Sequence, residues 1–208
     1  MNELLKMTAH QVKEGKFDKA ILAIGSCEAH GQHLAEGCDT IVSYELSKQV
    51  ADRVPGMLVL PPITVGYSGH YDTFPFTLTF DYETMIHVIY DIVESVLRNG
   101  INKIFLMNGH DGNIAPIEIA ARKIKEKYPD ARIASLPEWW VIAGKLVPEG
   151  TFAVWNGLGH AGEGESSIAY HLFPQWCEPA SSIITAFFIF LVLACKAVIN
   201  SSCFLFLI

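Results

Sequence analysis

Lys19-Ala-Ile-Leu-Ala-Ile-Gly25 runs directly into Ser26-Cys-Glu28-Ala-His30-Gly-Gln-His33-Leu-Ala-Glu36-Gly-Cys38-Asp39. The first part is a short apolar run closed by glycine, which reads as a buried strand. The second part gathers acids and imidazoles just beyond the end of that strand. From Asp39 onward, Ile41, Leu46, Val50 and Val54 recur at helical intervals, with Asp39 as the expected N-cap. A buried strand, a polar loop and a helix in this order are the repeating unit of a parallel α/β sheet.

The rest of the chain repeats the unit. Residues 57–60 read as a strand stopped by Pro61-Pro62, and residues 61–80 as a long ordered loop of the kind that carries function. Asp81 caps an amphipathic helix to Arg98, and Asn99-Gly100 stops it. Residues 103–107 form a strand, 113–128 a helix and 131–136 a further strand, while 137–163 show no clear period and 165–172 a short helix. The expected fold class is α/β, a three-layer α/β/α arrangement with a mainly parallel central sheet.

With 208 residues, 50% hydrophobic and 18% charged, the chain can bury a sizeable core and is not disordered by composition. A net charge of −7 argues against a nucleic-acid partner. The opening residues lack the apolar core of a signal peptide. Cys27, Cys38, Cys177, Cys195 and Cys203 are odd in number and contain no C-x-x-C pair, so a disulfide framework is not expected and a reducing cytoplasm fits. We expect one domain over residues 1–180. Residues 181–208 form a hydrophobic tail whose only charge is Lys196. Its apolar run, 183–195, is short for a membrane span. Three readings stay open for it: a buried terminal element, a poor membrane anchor, or a segment foreign to the domain such as a frameshift product.

Side chains two apart in an extended segment share a side, so Glu28 and His30 offer a carboxylate and an imidazole together. Asp39 brings a further carboxylate, whose two oxygens suit it to bridge two ions. His33 and Glu36 are spare candidates. Asn108-Gly-His110-Asp-Gly-Asn113 follows a strand, and His110 is expected to be a metal ligand; Asn113 either ties the loop or caps the next helix. A third cluster, His160-Ala-Gly-Glu163-Gly-Glu165-Ser166-Ser167, precedes a helix. Amide hydrolysis needs an activated water and a proton donor for the leaving nitrogen. His160 suits the donor role, and Glu163 or Glu165 the base or a further ligand. The ordinary alternative for Glu163 is a helix-opening capping role. Nitrogen and oxygen ligands of this kind suit Zn, Mn or Fe, one or two ions per chain. His70 is placed either at the mouth of the site or on the surface, and Cys27 and Cys38 are expected to point away from the ligands.

At these residues the chain resembles the creatininase (creatinine amidohydrolase) family. The resemblance rests on residues 25–34 with Asp39, on Gly66-Tyr-Ser-Gly-His70 with Phe74-Pro75, on the segment 108–113, and on residues 160–166. It runs from about residue 18 to 175 and implies an α/β/α domain with a two-metal site, assembled as a homo-oligomer, often a hexamer. The implied activity is hydrolysis of a C–N bond in a small amide, cyclic amide or formamide. Members of the family also include a mycofactocin-maturing peptidase and a C–C-cleaving inosose hydrolase, so an inosose C–C or ester hydrolase is the alternative, as is an inactive metal-binding subunit. By motif, Glu28, His30, Asp39 and His110 fall on metal-ligand positions and His160 on a proton-shuttle position. The sequence departs from creatininase proper at Gly112, which stands where that enzyme has a glutamate ligand. A second ion must then recruit Glu165 first, or Asp111 next, or be absent. Phe76 stands where a Gly-Thr turn is common, and the tail replaces the usual family C-terminus. The resemblance also sets Trp139, Trp140 and Trp155 near regions where creatininase places tryptophans around a flat substrate, the ordinary alternative being packed core residues.

Overall fold

The computed structural model describes residues 2–154 and 157–178. Trp155, Cys195, Cys203 and the whole tail 181–208, with its three readings, lie outside the described residues. Strands β1 (Lys19–Ile24), β2 (Met57–Val59), β3 (Lys103–Asn108) and β4 (Arg132–Leu136) form one sheet in the order β2-β1-β3-β4. All three pairings are parallel, and β1 aligns Lys19 with Lys103 and Ile24 with Asn108. Helices α1 (Ala9–Glu14), α2 (Cys38–Arg53), α3 (Tyr82–Arg98), α4 (Ile114–Lys127), α5 (Trp139–Leu146) and α6 (Glu163–Leu172) complete the fold.

Strand side chains alternate between faces, and the two cores follow that alternation. Ala20, Leu22 and Ile24 of β1 with Ile104 and Leu106 of β3 pack against α3 and α4, through residues such as Met85, Ile89 and Ile117. Ile21 of β1 and Met107 of β3 pack on the opposite face against Val42 and Leu46 of α2, Trp139 of α5 and Ile168 of α6. The three-layer α/β/α expectation is therefore what the chain adopts.

Two local expectations change and one open alternative is decided. Asp39 lies within the first turn of α2, and Gly37 occupies the cap position without a side-chain hydrogen bond. Asn113 does not cap α4; its amide is committed elsewhere. Residues 139–146, read as aperiodic, form α5, a helix of 8 residues with no side-chain cap. So short a helix draws its stability from packing more than from local signals, and buried Trp139 supplies that packing. Asp81, by contrast, caps α3 as expected, accepting a hydrogen bond from the Thr84 amide at 2.7 Å.

The order places β2 on one side of β1 and β3 on the other. The connections leaving β1 and β3 therefore diverge, and open sheets of this type present a crevice beyond the strands' carboxyl ends at that point. Gly109 closes the approach there: its amide donates to Ile24 O at 2.7 Å, and a Cβ on it would lie 2.2 Å from the Asp39 carbonyl. The first turn of α2 thus comes down onto the ends of β1 and β3.

Leu106 is fully buried, whereas Ile119 on α4 is 42% exposed. Leu106→Ala is expected to cost about 2–5 kcal/mol, read from the denaturation midpoint. Ile119→Ala is expected to stay within about 0.5 kcal/mol.

Candidate metal centre

Beyond β1, the chain from Ser26 to Asp39 folds back on itself, with the Glu28 amide bonded to the Glu36 carbonyl at 2.9 Å. This turns Glu28 and His30 inward, and both are fully buried; Asp39 and His110 are 3% and 4% exposed. Asp39 stands between the two imidazoles. Its Oδ1 is 3.0 Å from His30 Nε2, and its Oδ2 is 2.9 Å from His110 Nδ1 and accepts the Ser26 hydroxyl at 2.7 Å. Glu165, from the first turn of α6, brings Oε1 to 3.7 Å from His30 Nε2. His110 Nδ1 is also 3.2 Å from Glu28 Oε1.

The other nitrogen of each imidazole faces a backbone carbonyl, which can only accept. His30 Nδ1 donates to the Glu28 carbonyl at 2.9 Å, and His110 Nε2 donates to the Tyr67 carbonyl at 2.8 Å. The lone pairs of the remaining nitrogens then point at carboxylate oxygens. Two acceptors at that distance repel unless positive charge lies between them, either a proton or a metal ion. Backbone carbonyls that orient ligating imidazoles in this way are a common feature of metal sites.

The electrostatics follow from the same geometry. Burial pushes the Glu28 carboxyl up to about 7, against the pull of His110. Asp39 is buried, yet hydrogen bonds from His110 and His30 hold it well below the usual carboxylate range. Burial opposes charge on His30, but hydrogen bonds to Asp39 and Glu165 outweigh it and push the ring up to about 11. His110 is raised for the same reason, with burial opposed by Asp39. Either a proton or a cation can supply the positive charge this arrangement requires. Neither Glu28 oxygen finds a hydrogen bond of good geometry among the described residues. A buried carboxylate left this way is costly, and a cation is the partner that would satisfy it. The residues present fit a divalent metal.

Among the described residues, three sets have their ligand atoms within 4.8 Å of one another inside each set: His30, Cys38, Asp39 and Glu165; Glu28, His70 and His110; and Glu28, His30 and His160. A cavity of about 290 Å³ opens above them, lined among others by His70, Tyr71, Asp111, Trp140, His160 and Glu165. His160 stands at its wall, with Nδ1 3.6 Å from Glu28 Oε1 and Nε2 donating to the Ala29 carbonyl. Burial, and next the charge on His30, lower its pKa.

Several expected roles are redistributed. Glu163 faces away from the cavity: one oxygen accepts the Ala153 and Val154 amides at 2.8 and 3.0 Å, which braces the preceding loop. His33 bonds Ser166 Oγ at 2.8 Å, and neither it nor Glu36 lines the cavity. Asp111 lines the cavity but belongs to none of the three ligand sets. Cys38, expected to point away, lies beside His30 and Asp39. Burial and then the nearby Glu165 and Asp39 carboxylates hold its pKa well above the usual thiol range, so it is a neutral neighbour. His70 takes the mouth position, its ring parallel to His110 with centroids 5.8 Å apart. Trp139 is core, while Trp140 lines the cavity. Tyr71 was not singled out from the sequence. It stacks on His160 at 4.2 Å, and its only sequence signal is its place beside His70 in the long loop.

Known proteins similar to this chain identify its family. The family model for creatininase, described as creatinine amidohydrolase, matches residues 5–183. The creatinine amidohydrolase of Pseudomonas putida is 31% identical over 170 residues, covering 74% of this chain and 64% of that protein. A mycofactocin precursor peptide peptidase of Mycobacterium ulcerans is 26% identical over 183 residues, covering 84% of this chain and 66% of the peptidase. The chain thus spans just under two thirds of the length of these relatives. A solved structure of a manganese creatininase superposes with a TM-score of 0.69 at 28% identity, covering 85% of this chain and 75% of that one. With the family model matched over most of its length, the chain belongs to the creatininase family.

Proposed function

We propose that the chain is a metal-dependent amidohydrolase that cleaves a C–N bond in a small amide, cyclic amide or formamide. The observation that carries this reading is Asp39 held between His30 and His110, with the unsatisfied Glu28 carboxylate beside them. Glu28, Asp39 and His110 would hold one divalent ion, and His30, Asp39 and Glu165 a second, of Mn, Zn or Fe. When bound, such ions supply Lewis acidity to the substrate carbonyl and bring the pKa of a water toward ~7. Membership of a family with a manganese creatininase and a peptidase among its similar structures and relatives supports both the metal and the amide chemistry.

The chain's own residues handle the proton. Because His160 Nε2 donates to Ala29 O, its Nδ1 carries the lone pair, and that atom faces Glu28. A ring kept neutral at neutral pH accepts the proton given up as water attacks the carbonyl. It then passes that proton to the departing nitrogen as the C–N bond breaks. The products are a carboxylic acid and an amine. Tyr71, stacked on the ring, holds its orientation. Trp140 and Tyr71 offer flat walls to a planar substrate.

The hydrolase domain is proposed to comprise residues 1–180 and to work as a homo-oligomer, whose size sedimentation would give. No helix among the described residues is long and apolar enough to cross a membrane.

Elemental analysis of chain purified without chelator is expected to find about one to two equivalents of Mn, Zn or Fe, the number the donor set can hold. His110→Ala is expected to lose most of it; unchanged metal in that variant overturns the ligand assignment. His160→Ala is expected to keep the metal and to lose about 10²–10⁴-fold in turnover. A panel of formamides, lactams and inososes identifies the reactive substrate. Turnover of the inososes alone, or of none with metal present, would sink the amidohydrolase reading.

A further inference from the structure

The turn after β3 contains a residue whose missing side chain is itself used. A Cβ on Gly112 would lie 2.2 Å from the Tyr67 carbonyl oxygen and 2.7 Å from His110 Nε2. Those two atoms are the partners of one hydrogen bond, 2.8 Å long. A side chain at position 112 would therefore stand inside the contact that orients His110. The backbone of Gly112 lies outside the left-handed region, so its conformation does not demand glycine; the space does.

The Tyr67 carbonyl cannot simply step aside. The amide of its own peptide unit, Ser68 N–H, donates to Thr79 Oγ1 at 2.8 Å. On its other side the Tyr67 N–H donates to Asn113 Oδ1 at 3.0 Å, and the same side chain donates through Nδ2 to the Gly25 carbonyl at 2.9 Å. Asn113 is fully buried. One amide thus ties the end of β1, the long loop and the start of α4 together. That commitment is why Asn113 makes no cap for its own helix.

We propose that Gly112 and Asn113 are a pair of positioning residues for His110. Asn113 anchors Tyr67 at its N–H, and Gly112 leaves the gap through which the Tyr67 carbonyl reaches Nε2, so that Nδ1 is turned to Glu28 and Asp39. The metal arm of the test rests on His110 being a ligand, as proposed above. A simple count of donors predicts the opposite outcome for one substitution. Gly112→Glu adds a carboxylate two residues from His110 and by that count should tighten metal binding. On the geometry it breaks the Tyr67 contact and should weaken it.

The test is calorimetric titration of the full chain with Zn²⁺, with far-UV circular dichroism to check folding. Both Gly112→Ala and Gly112→Glu are expected to lower affinity about 10–100-fold, the usual cost of disturbing an orienting contact to a ligand. Affinity of Gly112→Glu equal to or above that of the unaltered chain overturns the proposal. A second measurement needs no folded variant at position 112. In unaltered, ¹⁵N-histidine-labelled chain without added metal, the His110 Nε2 proton, assigned by its loss in His110→Gln, is expected to exchange slowly with solvent. An Nε2 without a proton, or one exchanging as fast as an exposed histidine, also overturns the proposal. If that proton is protected while the chain takes up no Zn²⁺, the positioning role stands and the metal reading falls instead.

Discussion

Everything at this site depends on the cost of burying carboxylates beside imidazoles. Glu28 and Asp39 are removed from water almost completely, and charge in such surroundings persists only when it is paired. The two histidines are each fixed by a backbone carbonyl, which leaves a single nitrogen free to face the acids. Positive charge must therefore enter between them. Protons can supply it: burial opposes charge on His30, but hydrogen bonds to Asp39 and Glu165 push the ring up to about 11. A divalent cation meets the same requirement and would additionally satisfy the Glu28 oxygens, which find no hydrogen bond of good geometry among the described residues.

That arrangement is possible because of where the sheet reverses its order. With β1 central and β2 and β3 on opposite sides, the loops leaving β1 and β3 part company and leave a crevice. Glu28 and His30 come from one loop, His110 from the other, and Asp39 from the helix that settles onto both strand ends. The contribution from α6, Glu165, arrives across the second core, where α2 packs with α6. The site is thus assembled from four chain segments, each held by backbone contacts, and stiffness rather than side-chain number defines it.

The comparison with creatininase proper centres on Gly112. At position 112 this chain places the Tyr67 carbonyl against His110 and leaves no room for a side chain. The carboxylate nearest to His30 besides Asp39 is instead Glu165, on a different element.

Local chemistry made much of this legible in the sequence. The apolar run 19–24, the alternation of buried and polar segments and the Asp81 cap specify strands, helices and a parallel sheet, because periodicity and capping act over a few residues. The same range of action lets Glu28, His30, Asp39 and His110 stand out as ligand candidates, since all sit just past strand ends. What the sequence could not decide are choices between partners far apart in the chain. Glu163 and Glu165 are two residues apart and chemically alike, yet packing of α6 turns one to the cavity and the other to the 153–154 amides. Asn113 serves the Tyr67 peptide 46 residues away and not its own helix. Cys38 and Tyr71 reach the site only because α2 and the long loop fold over it. Side-chain direction there is set by which distant backbone group occupies the neighbouring space, and only the tertiary structure fixes that.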